Sequence, residues 1–183
     1  MPYITDNRQK FEDLSFHIAN QDLLRRQANG GNSILFSYLP NEEYLYIQKA
    51  KDIYLENATF IDMSELLVKF IDKDSWESFK NYYNDFKDTP HLVFHSDDPS
   101  EDLFNMIISR IEEACLNNKV PFLIRTGCLD GTGIENVNIM ENRIVMNLRH
   151  PLVIFYPSRI NEDGNIYFLN YKPASKYRCT LVK

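Results

Sequence analysis

Glycine and proline are scarce in this chain of 183 residues, which contains 6 glycines and 8 prolines. The scarcity excludes collagen-like and low-complexity sequences and leaves little room for long linkers. Hydrophobic residues make up 44% of the chain and aromatic residues 13%, proportions that exclude a disordered polymer. A chain of this length buries roughly 70% of its unfolded surface, so it needs no disulfide or metal to fold. We expect one domain over residues 1–183, with an N-terminal helix at 8–28 and a core at 33–183.

Cysteine is also sparse, and no hydrophobic run reaches the roughly 18 residues that a membrane-spanning helix needs. The three cysteines, Cys115, Cys128 and Cys179, lack the spacing of a metal site, and a disulfide would leave one of them unpaired. Residues 1–10 do not show the basic, apolar and small-residue pattern of a signal peptide. We expect a cytoplasmic protein with three reduced thiols.

Positive charge is deficient in the first two thirds of the chain. The formal net charge is −6, and residues 52–102 alone contain 13 acidic and 4 basic residues. Residues 121–183, by contrast, contain 8 basic and 5 acidic residues. The acidic middle segment opposes nonspecific wrapping of nucleic acid, whose phosphates require clustered bases. It is either a solvated helical face or a docking surface for a basic partner.

Apolar runs of strand length alternate with segments of helical periodicity. We predict strands at 33–39, 59–63, 120–127, 151–157, 165–171 and 176–182, the last two joined through Pro173 in a hairpin-like edge. We predict helices at 8–28, after an N-cap at Asn41, and at 64–89, 101–117 and 136–148. Residues 91–95 are ambiguous between a short strand and an extended connection. The alternation predicts an α/β fold, a single three-layer domain with a mostly parallel sheet flanked by helices and an antiparallel C-terminal edge.

The loop TGCLDGTG at residues 126–133 is the most conspicuous candidate site, because it joins a predicted strand to a predicted helix. Ligands of open parallel sheets lie beyond the carboxyl ends of the strands, and glycines let the backbone approach them. The residues of this possible ligand or anion loop are Thr126, Gly127, Gly131 and Gly133. No Lys-Ser/Thr pair follows the glycines, so the loop is not a P-loop. An ordinary turn and a contact with an anion or a partner are the alternatives.

Candidates for a nucleophile or an acid–base group are few. Cys128 lies in the glycine-bearing loop and His150 precedes a later strand, so a Cys–His pair is conceivable, although no local motif accompanies it. Asp62 ends a strand and is suited to act as an acid or a ligand, but no second carboxylate is defined beside it. We expect no catalytic residue, and we interpret the solitary cysteine as a small apolar side chain.

Metal ligation has one candidate segment. His91 and His95 are four residues apart, and Asp97 and Asp98 follow them. This group suits a metal only if the segment is helical, whereas the sequence VFHSDDP favours an extended segment or a turn. We therefore expect neither a metal nor a cofactor.

Basic and aromatic residues are interleaved in the C-terminal third of the chain. The possible partner-binding residues are Arg143, Tyr156, Arg159, Tyr177 and Arg178. Arginine and tyrosine are preferred anchors of protein interfaces, and arginine also binds phosphates. The alternative is that these side chains only protect an edge strand from pairing with other chains.

Three short motifs stand in a distinctive order. Thr126-Gly127 ends one predicted strand, Phe155-Tyr156-Pro157 ends a later one, and Tyr177-Arg178 begins the last. In order and spacing these motifs resemble the BrxB family, a component of BREX phage-defence systems, over roughly residues 25–183. Ser158 stands where the family has glycine, and Cys179-Thr180 stands where it has Ala-Phe. The chain thus resembles a divergent member.

The resemblance implies a cytoplasmic, non-catalytic interaction or scaffold subunit of a bacterial phage-defence complex. Its partners would be other BREX components, with the alkaline-phosphatase-like protein bound directly and the DNA methyltransferase and large ATPase reached through it. Neither membrane association nor direct DNA contact is expected. The alternative function is a nucleotide- or phosphate-ligand-binding enzyme or sensor that uses the loop at 126–133.

Overall fold

The computed structural model describes residues 3–96 and 102–183. Within these residues the chain forms an α/β domain, in which a mostly parallel sheet of seven strands lies between helices on both faces. The predicted fold class is confirmed. Among the described residues, none of the helices has the length and hydrophobicity that crossing a membrane requires.

The main sheet contains five parallel strands. The seven strands of the described residues are β1 (Ser33–Tyr38), β2 (Ala58–Asp62), β3 (Val120–Ile124), β4 (Leu152–Ile160), β5 (Ile166–Phe168), β6 (Lys172–Ala174) and β7 (Cys179–Val182). The order of the main sheet is β2-β3-β4-β1-β7, and every neighbouring pair in it is parallel. β1 to β4 are close to continuous apolar runs because helices cover both faces of a parallel sheet. The predicted positions of these four strands are confirmed.

The antiparallel part of the sheet lies in the C-terminal region, as predicted, but the last two predicted strands do not form a hairpin. β5 pairs with the end of β4 and with β6, both in antiparallel register. Pro173 lies within β6, opposite Tyr167, and not in a connection. β7 runs parallel to β1 at the edge of the main sheet, with Leu35 opposite Leu181. Because β5 is antiparallel to β4 and β6 is antiparallel to β5, β6 runs in the direction of β4, and β7 runs in that same direction.

Three predicted helices are each divided in two. The helices are α1 (Tyr3–Ala19), α2 (Gln21–Gln27), α3 (Glu43–Tyr54), α4 (Met63–Ile71), α5 (Trp76–Asp85), α6 (His91–Phe94), α7 (Leu103–Leu116), α8 (Asn136–Met140) and α9 (Arg143–Met146), as far as the chain is described. The divisions lie at Asn20, before Trp76 and at Asn142. Ser75 and Asn142 cap the second helix of their pairs, because their side-chain oxygens accept backbone N–H groups of Ser78 and Ile144. The side chain of Asn20 donates to the carbonyl oxygen of Phe16 at 2.7 Å.

Two further sequence expectations are wrong. Residues 91–95 contain the helical turn α6, closed by a hydrogen bond of 2.9 Å from the backbone N–H of His95 to the carbonyl oxygen of His91. Asn41 is not the N-cap of α3, because a 3₁₀ turn at Pro40–Glu42 comes first and Glu42 occupies that position. Two acids of the acidic middle segment, Asp62 and Asp102, are the N-cap residues of α4 and α7.

The core consists of two hydrophobic clusters on opposite faces of the sheet. Phe155 of β4 belongs to the cluster under α1 and α3, whereas Ile154 and Tyr156 face α4, α7 and α8. Phe36 of β1 stacks on Phe155, with ring centroids 4.7 Å apart. The chain therefore leaves β1 toward one face and β3 toward the other, on either side of β4.

Because the strands of the main sheet are parallel, their carboxyl ends lie together on one side of the sheet and their amino ends on the other. We call these two sides the carboxyl edge and the amino edge. The carboxyl edge is formed by the residues that follow β1, β2, β3 and β4, and it includes the loop at 126–133. The amino edge is formed by the residues that precede these strands and β7, and it includes residues 29–32, 148–150 and 177–178. The two edges divide the predicted site residues into two groups.

Candidate functional site

The loop at 126–133 begins with a sharp turn at the carboxyl end of β3. Arg125 has a left-handed backbone, with φ of 56°, and a 3₁₀ turn begins at Thr126. Thr126 is buried, and its hydroxyl donates a hydrogen bond of 2.7 Å to the carbonyl oxygen of Phe155 in β4. The hydroxyl of Thr132 donates to the carbonyl oxygen of Leu129 at 2.6 Å. Both hydroxyl protons are thus used to hold the loop in its own structure.

The glycines of the loop serve its backbone and its packing. Gly131 and Gly133 have left-handed φ values of 82° and 78°, which glycine adopts without strain. A Cβ atom on Gly133 would also lie 2.4 Å from the Cβ of His91. Gly127 lacks a left-handed φ, and a Cβ there would make an ordinary contact of 3.4 Å with Leu169. Loop geometry therefore accounts for Gly131 and Gly133 without a ligand.

Acidic side chains lie in the loop at 126–133 and next to it. Asp130 accepts a hydrogen bond of 2.5 Å from the hydroxyl of Tyr171, and Glu135 forms an ion pair of 2.9 Å with Lys172. The base that precedes the loop, Arg125, forms an ion pair with Asp62. These bases are already paired with carboxylates, so the local charge opposes a phosphate or a nucleotide at the loop.

Asp62 is an N-cap residue of α4. Its carboxylate accepts hydrogen bonds from the backbone N–H groups of Ser64 and Glu65, at 3.0 and 3.3 Å, and from the Ser64 hydroxyl at 2.6 Å. Burial alone would raise the pKa of Asp62, but these hydrogen bonds and the charge of Arg125 outweigh it and lower the pKa. An ionised carboxylate with its oxygens engaged is a poor acid or base for catalysis.

Cys128 and His150 lie at opposite edges of the sheet. Cys128 follows β3 and His150 precedes β4, and these two strands are parallel. Burial and the charges of Asp62 and Glu43 raise the pKa of Cys128 to about 11. The Nε2 atom of His150 is hydrogen-bonded to the side-chain oxygen of Asn118 at 3.2 Å. Cys128 and His150 therefore do not form a nucleophilic Cys–His pair.

We expect the three thiols to react slowly in the folded protein. Burial raises the pKa of Cys128 to about 11 and that of Cys179 to about 12, and it also raises the pKa of Cys115. Since the thiolate is the reacting species, alkylation of Cys128 by iodoacetamide at mildly alkaline pH should be about 100-fold slower than that of a free thiol. Peptide mass spectrometry after timed exposure measures the rate, with urea-unfolded protein as the control. Rapid native-state labelling of Cys128 would contradict the raised pKa of this thiol.

A small pocket, here called the hairpin pocket, separates the loop from the β5–β6 hairpin. Its walls include Thr126, Leu129, Asp130, Ile139, Tyr156, Phe168 and Pro173. Its volume is about 20 Å³, room for one water molecule. Tyr156 is only 5% exposed and stacks on Phe168, with ring centroids 4.7 Å apart. Tyr156 is therefore an interior residue, not part of an exposed surface.

A larger crevice lies at the carboxyl ends of β1 and β4, near the point where the connections after successive strands change from one face of the sheet to the other. We call it the switch crevice after this change of face. It has a volume of about 440 Å³, and its lining includes Lys10, Tyr38, Glu42, Tyr46 and Arg159. At its base the hydroxyls of Ser37 and Ser158 are hydrogen-bonded to each other at 2.9 Å, and that of Ser158 donates to the carbonyl oxygen of Tyr156 at 3.1 Å. The crevice thus joins the first strand of the chain to the strand that carries Arg159.

Aromatic rings form one wall of the switch crevice and hold a buried cation. The Nζ atom of Lys10 lies 4.6 Å from the ring centroid of Tyr46 and 5.3 Å from that of Phe36. Lys10 is only 8% exposed, which is rare for lysine. The hydroxyl of Tyr38 donates to Glu43 at 3.0 Å, and burial raises the pKa of Tyr38, so the phenol remains neutral.

The structure divides the predicted partner-binding residues between the two edges. Arg159 is exposed at the carboxyl edge and Tyr156 is buried, whereas Arg143, Tyr177 and Arg178 lie at the amino edge. We call the surface formed by Arg143, Ile144, Tyr177 and Arg178 the amino-edge patch. Arg178 links the residues that precede β7 to those around α9. Its Nη1 lies 3.4 Å from the sulfur of Met146, and its Nε lies 3.8 Å from Glu141.

The histidines that the sequence offers as metal ligands have other contacts. His95 stacks on Phe104, with ring centroids 4.0 Å apart, and His91 packs against Gly133. Asp97 and Asp98 lie outside the described residues. Across residues 3–96 and 102–183, no group of three or more His, Cys, Asp or Glu side chains is arranged to hold a metal ion.

The sequence motifs do not reveal the contribution of the first helix to the switch crevice. Lys10 precedes Phe11 and stands four residues before Leu14, and both of these apolar residues are buried. This spacing puts Lys10 on the buried face of α1, and it is the signal by which the residue could have been found. The partner of that face, β1, is known only once the sheet order is known.

Comparison of the chain with protein-family models, with curated proteins and with solved structures finds no match. We therefore infer function from the residues of the chain and their geometry.

Proposed function

We propose that the chain is a non-catalytic interaction subunit of a bacterial phage-defence complex of the BREX type and that it acts in the cytoplasm. Two of the three BrxB-like motifs contact each other, because Thr126 donates its hydroxyl hydrogen bond to the carbonyl oxygen of Phe155. The contact joins β3 to β4. These motif residues stabilise the fold and contribute no reactive group, which is what we expect of a scaffold subunit.

The observation that carries the proposal is the amino-edge patch. Within it, Tyr177 is 50% exposed and Ile144 is 40% exposed. The guanidinium of Arg178 lies 5.3 Å from the ring centroid of Tyr177 and is also within ion-pair distance of Glu141. An arginine held against a tyrosine before binding loses less side-chain freedom when a partner docks. Arginine and tyrosine are among the residue types enriched at interface hot spots.

The partner that we propose is the alkaline-phosphatase-like protein of the defence system, with the DNA methyltransferase and the large ATPase reached through it. The family resemblance supplies the identity of this partner. The net charge of −6 supports contacts with proteins rather than with DNA, whose phosphates require clustered bases.

Co-expression tests this function. The tagged chain is expressed together with the alkaline-phosphatase-like protein, and the eluate is analysed by size-exclusion chromatography at moderate ionic strength. We expect the two proteins to elute together at the mass of a complex. Elution of the chain alone, in the presence of a well-folded partner, would contradict the proposed function.

We expect no hydrolysis of ATP or GTP by the purified chain. No Lys-Ser/Thr pair follows the glycines of the loop at 126–133, and Asp62 is engaged as a cap and in an ion pair with Arg125. Phosphate release with magnesium and either nucleotide should equal the background of the buffer. Turnover that survives repurification and disappears in the Asp62→Asn variant would contradict this expectation, because asparagine retains the cap and removes the charge.

A nucleotide or phosphate ligand at the loop 126–133 is the alternative function. The acids Asp130 and Glu135 line the adjoining hairpin pocket and oppose such a ligand. The melting temperature with and without magnesium nucleotide distinguishes the alternatives, since a ligand of the folded state raises it. We expect no change.

A further inference from the structure

The switch crevice lies where an open parallel sheet provides a binding site. The chain leaves β1 toward the face covered by α3, and it leaves β3 toward the face covered by α8. The connections diverge on either side of β4, and the crevice opens beside this divergence, at the carboxyl ends of β1 and β4 and on the face covered by α1 and α3. Divergence of this kind is the general origin of ligand sites in doubly wound sheets.

The charge of the crevice is positive. Among the described residues, its lining contains three bases, Lys10, Arg159 and Lys183, and one acid, Glu42. Arg159 is exposed and forms no ion pair with another described residue. By contrast, the hairpin pocket beside it contains two acids and one base, and the base is paired with Glu135. The positive site of the carboxyl edge is therefore the crevice, not the loop.

The hydroxyl donors of the crevice are used within the protein. The hydroxyl of Tyr38 donates to Glu43, that of Tyr46 donates to the side-chain oxygen of Asn7, and that of Ser158 donates to a backbone carbonyl. These hydroxyls are not free to donate to a ligand, so the charged side chains are the main candidates for recognising one. A guanidinium offers a planar pair of N–H donors that matches a phosphate or a carboxylate.

We propose that the switch crevice binds an oxyanion, a phosphate or carboxylate group of a small molecule, with Arg159 as the contact residue. Lys10 lies in the same lining, against the faces of Tyr46 and Phe36. The site is independent of the amino-edge patch, which lies at the other end of the sheet.

Inorganic pyrophosphate and citrate are the probes for this site, one for each source of the oxyanion. Each is titrated into the ¹⁵N-labelled protein at low ionic strength. We expect saturable shifts of backbone amides at 37–39 and 158–160 for at least one probe, and weaker binding as sodium chloride screens the charges. The probe that binds more tightly identifies the chemical source. Absence of saturation by both probes at millimolar concentration would overturn the proposal.

Arg159→Gln tests the contact residue. The side chain is exposed, so the variant should keep the wild-type melting temperature, and binding should weaken about tenfold through loss of a charged hydrogen bond. Arg159→Lys, which keeps the charge, should retain most of the affinity. The matched control is Arg143→Gln, an exposed base at the amino edge, which should bind like the wild type. Equal losses in Arg159→Gln and Arg143→Gln would show nonspecific attraction and would overturn the site.

Discussion

Replacement of Asn32 by alanine is expected to lower the free energy of unfolding by about 4 kcal/mol. The side chain of Asn32 is fully buried at the amino edge. Its amide nitrogen lies 3.1, 3.1 and 3.2 Å from the carbonyl oxygens of Val145, Leu148 and His150, and its oxygen accepts a hydrogen bond of 2.7 Å from Gln21. Alanine leaves these groups buried without their partner, and this penalty exceeds the net value of one hydrogen bond.

Urea unfolding followed by circular dichroism measures the effect on Asn32. The matched control is Asn147→Ala, because Asn147 is exposed and its amide donates a single hydrogen bond of 2.7 Å to the carbonyl oxygen of Arg143. The control should lose no more than about 1 kcal/mol. A loss in Asn32→Ala as small as that of the control would mean that the Asn32 side chain does not tie α2 and the segment before β4 to β1.

Replacement of Gly31 by alanine is expected to destabilise the protein by about 3 kcal/mol or more through a backbone clash. An added Cβ would lie 1.9 Å from the carbonyl oxygen of Arg178 and 2.6 Å from its carbonyl carbon. Both atoms belong to the backbone that enters β7, so relief requires β1 and β7 to move apart. Increased hydrogen exchange in residues 179–182 should accompany the loss of stability.

The neighbouring glycine provides the control for Gly31. Gly30 has a left-handed φ of 82°, and a Cβ on it would meet no atom within 4 Å. Gly30→Ala therefore adds only conformational strain, about 1 kcal/mol, with no selective change in β7. Equal losses in the two variants, measured by urea unfolding, would contradict the close approach of Gly31 to Arg178.

The strands of the main sheet could be predicted from the sequence because burial on both faces leaves a continuous apolar run. β1 shows this directly, since all six of its residues are buried. β6 could not be predicted, because it has only three residues and a central proline, and its pairing with β5 depends on tertiary contacts. The division of the predicted helix at 64–89 could not be predicted from the sequence either, because the helical spacing of apolar residues continues after the break at Ser75, at Phe79 and Tyr83.

The candidate site could be predicted only in part. Thr126 lies at the carboxyl end of a strand, as predicted, but its hydroxyl is used within the fold. The basic and aromatic pattern of the C-terminal third does not reveal that Arg159 and Arg178 lie at opposite edges, because this depends on the parallel direction of β7. Lys10 joins the site through the packing of α1 on β1, a contact that no local motif encodes.

The most direct test of the central claim is substitution of exposed residues at the two edges, measured by co-elution with the alkaline-phosphatase-like protein. If the amino-edge patch binds the partner, Arg143→Glu and Tyr177→Ala should each weaken the complex, because a hot-spot residue contributes about 2 kcal/mol or more. Both residues are exposed, so the variants alone should melt like the wild type. Arg159→Glu, at the carboxyl edge, should co-elute normally. Unchanged co-elution of both amino-edge variants, or loss only in Arg159→Glu, would contradict the account.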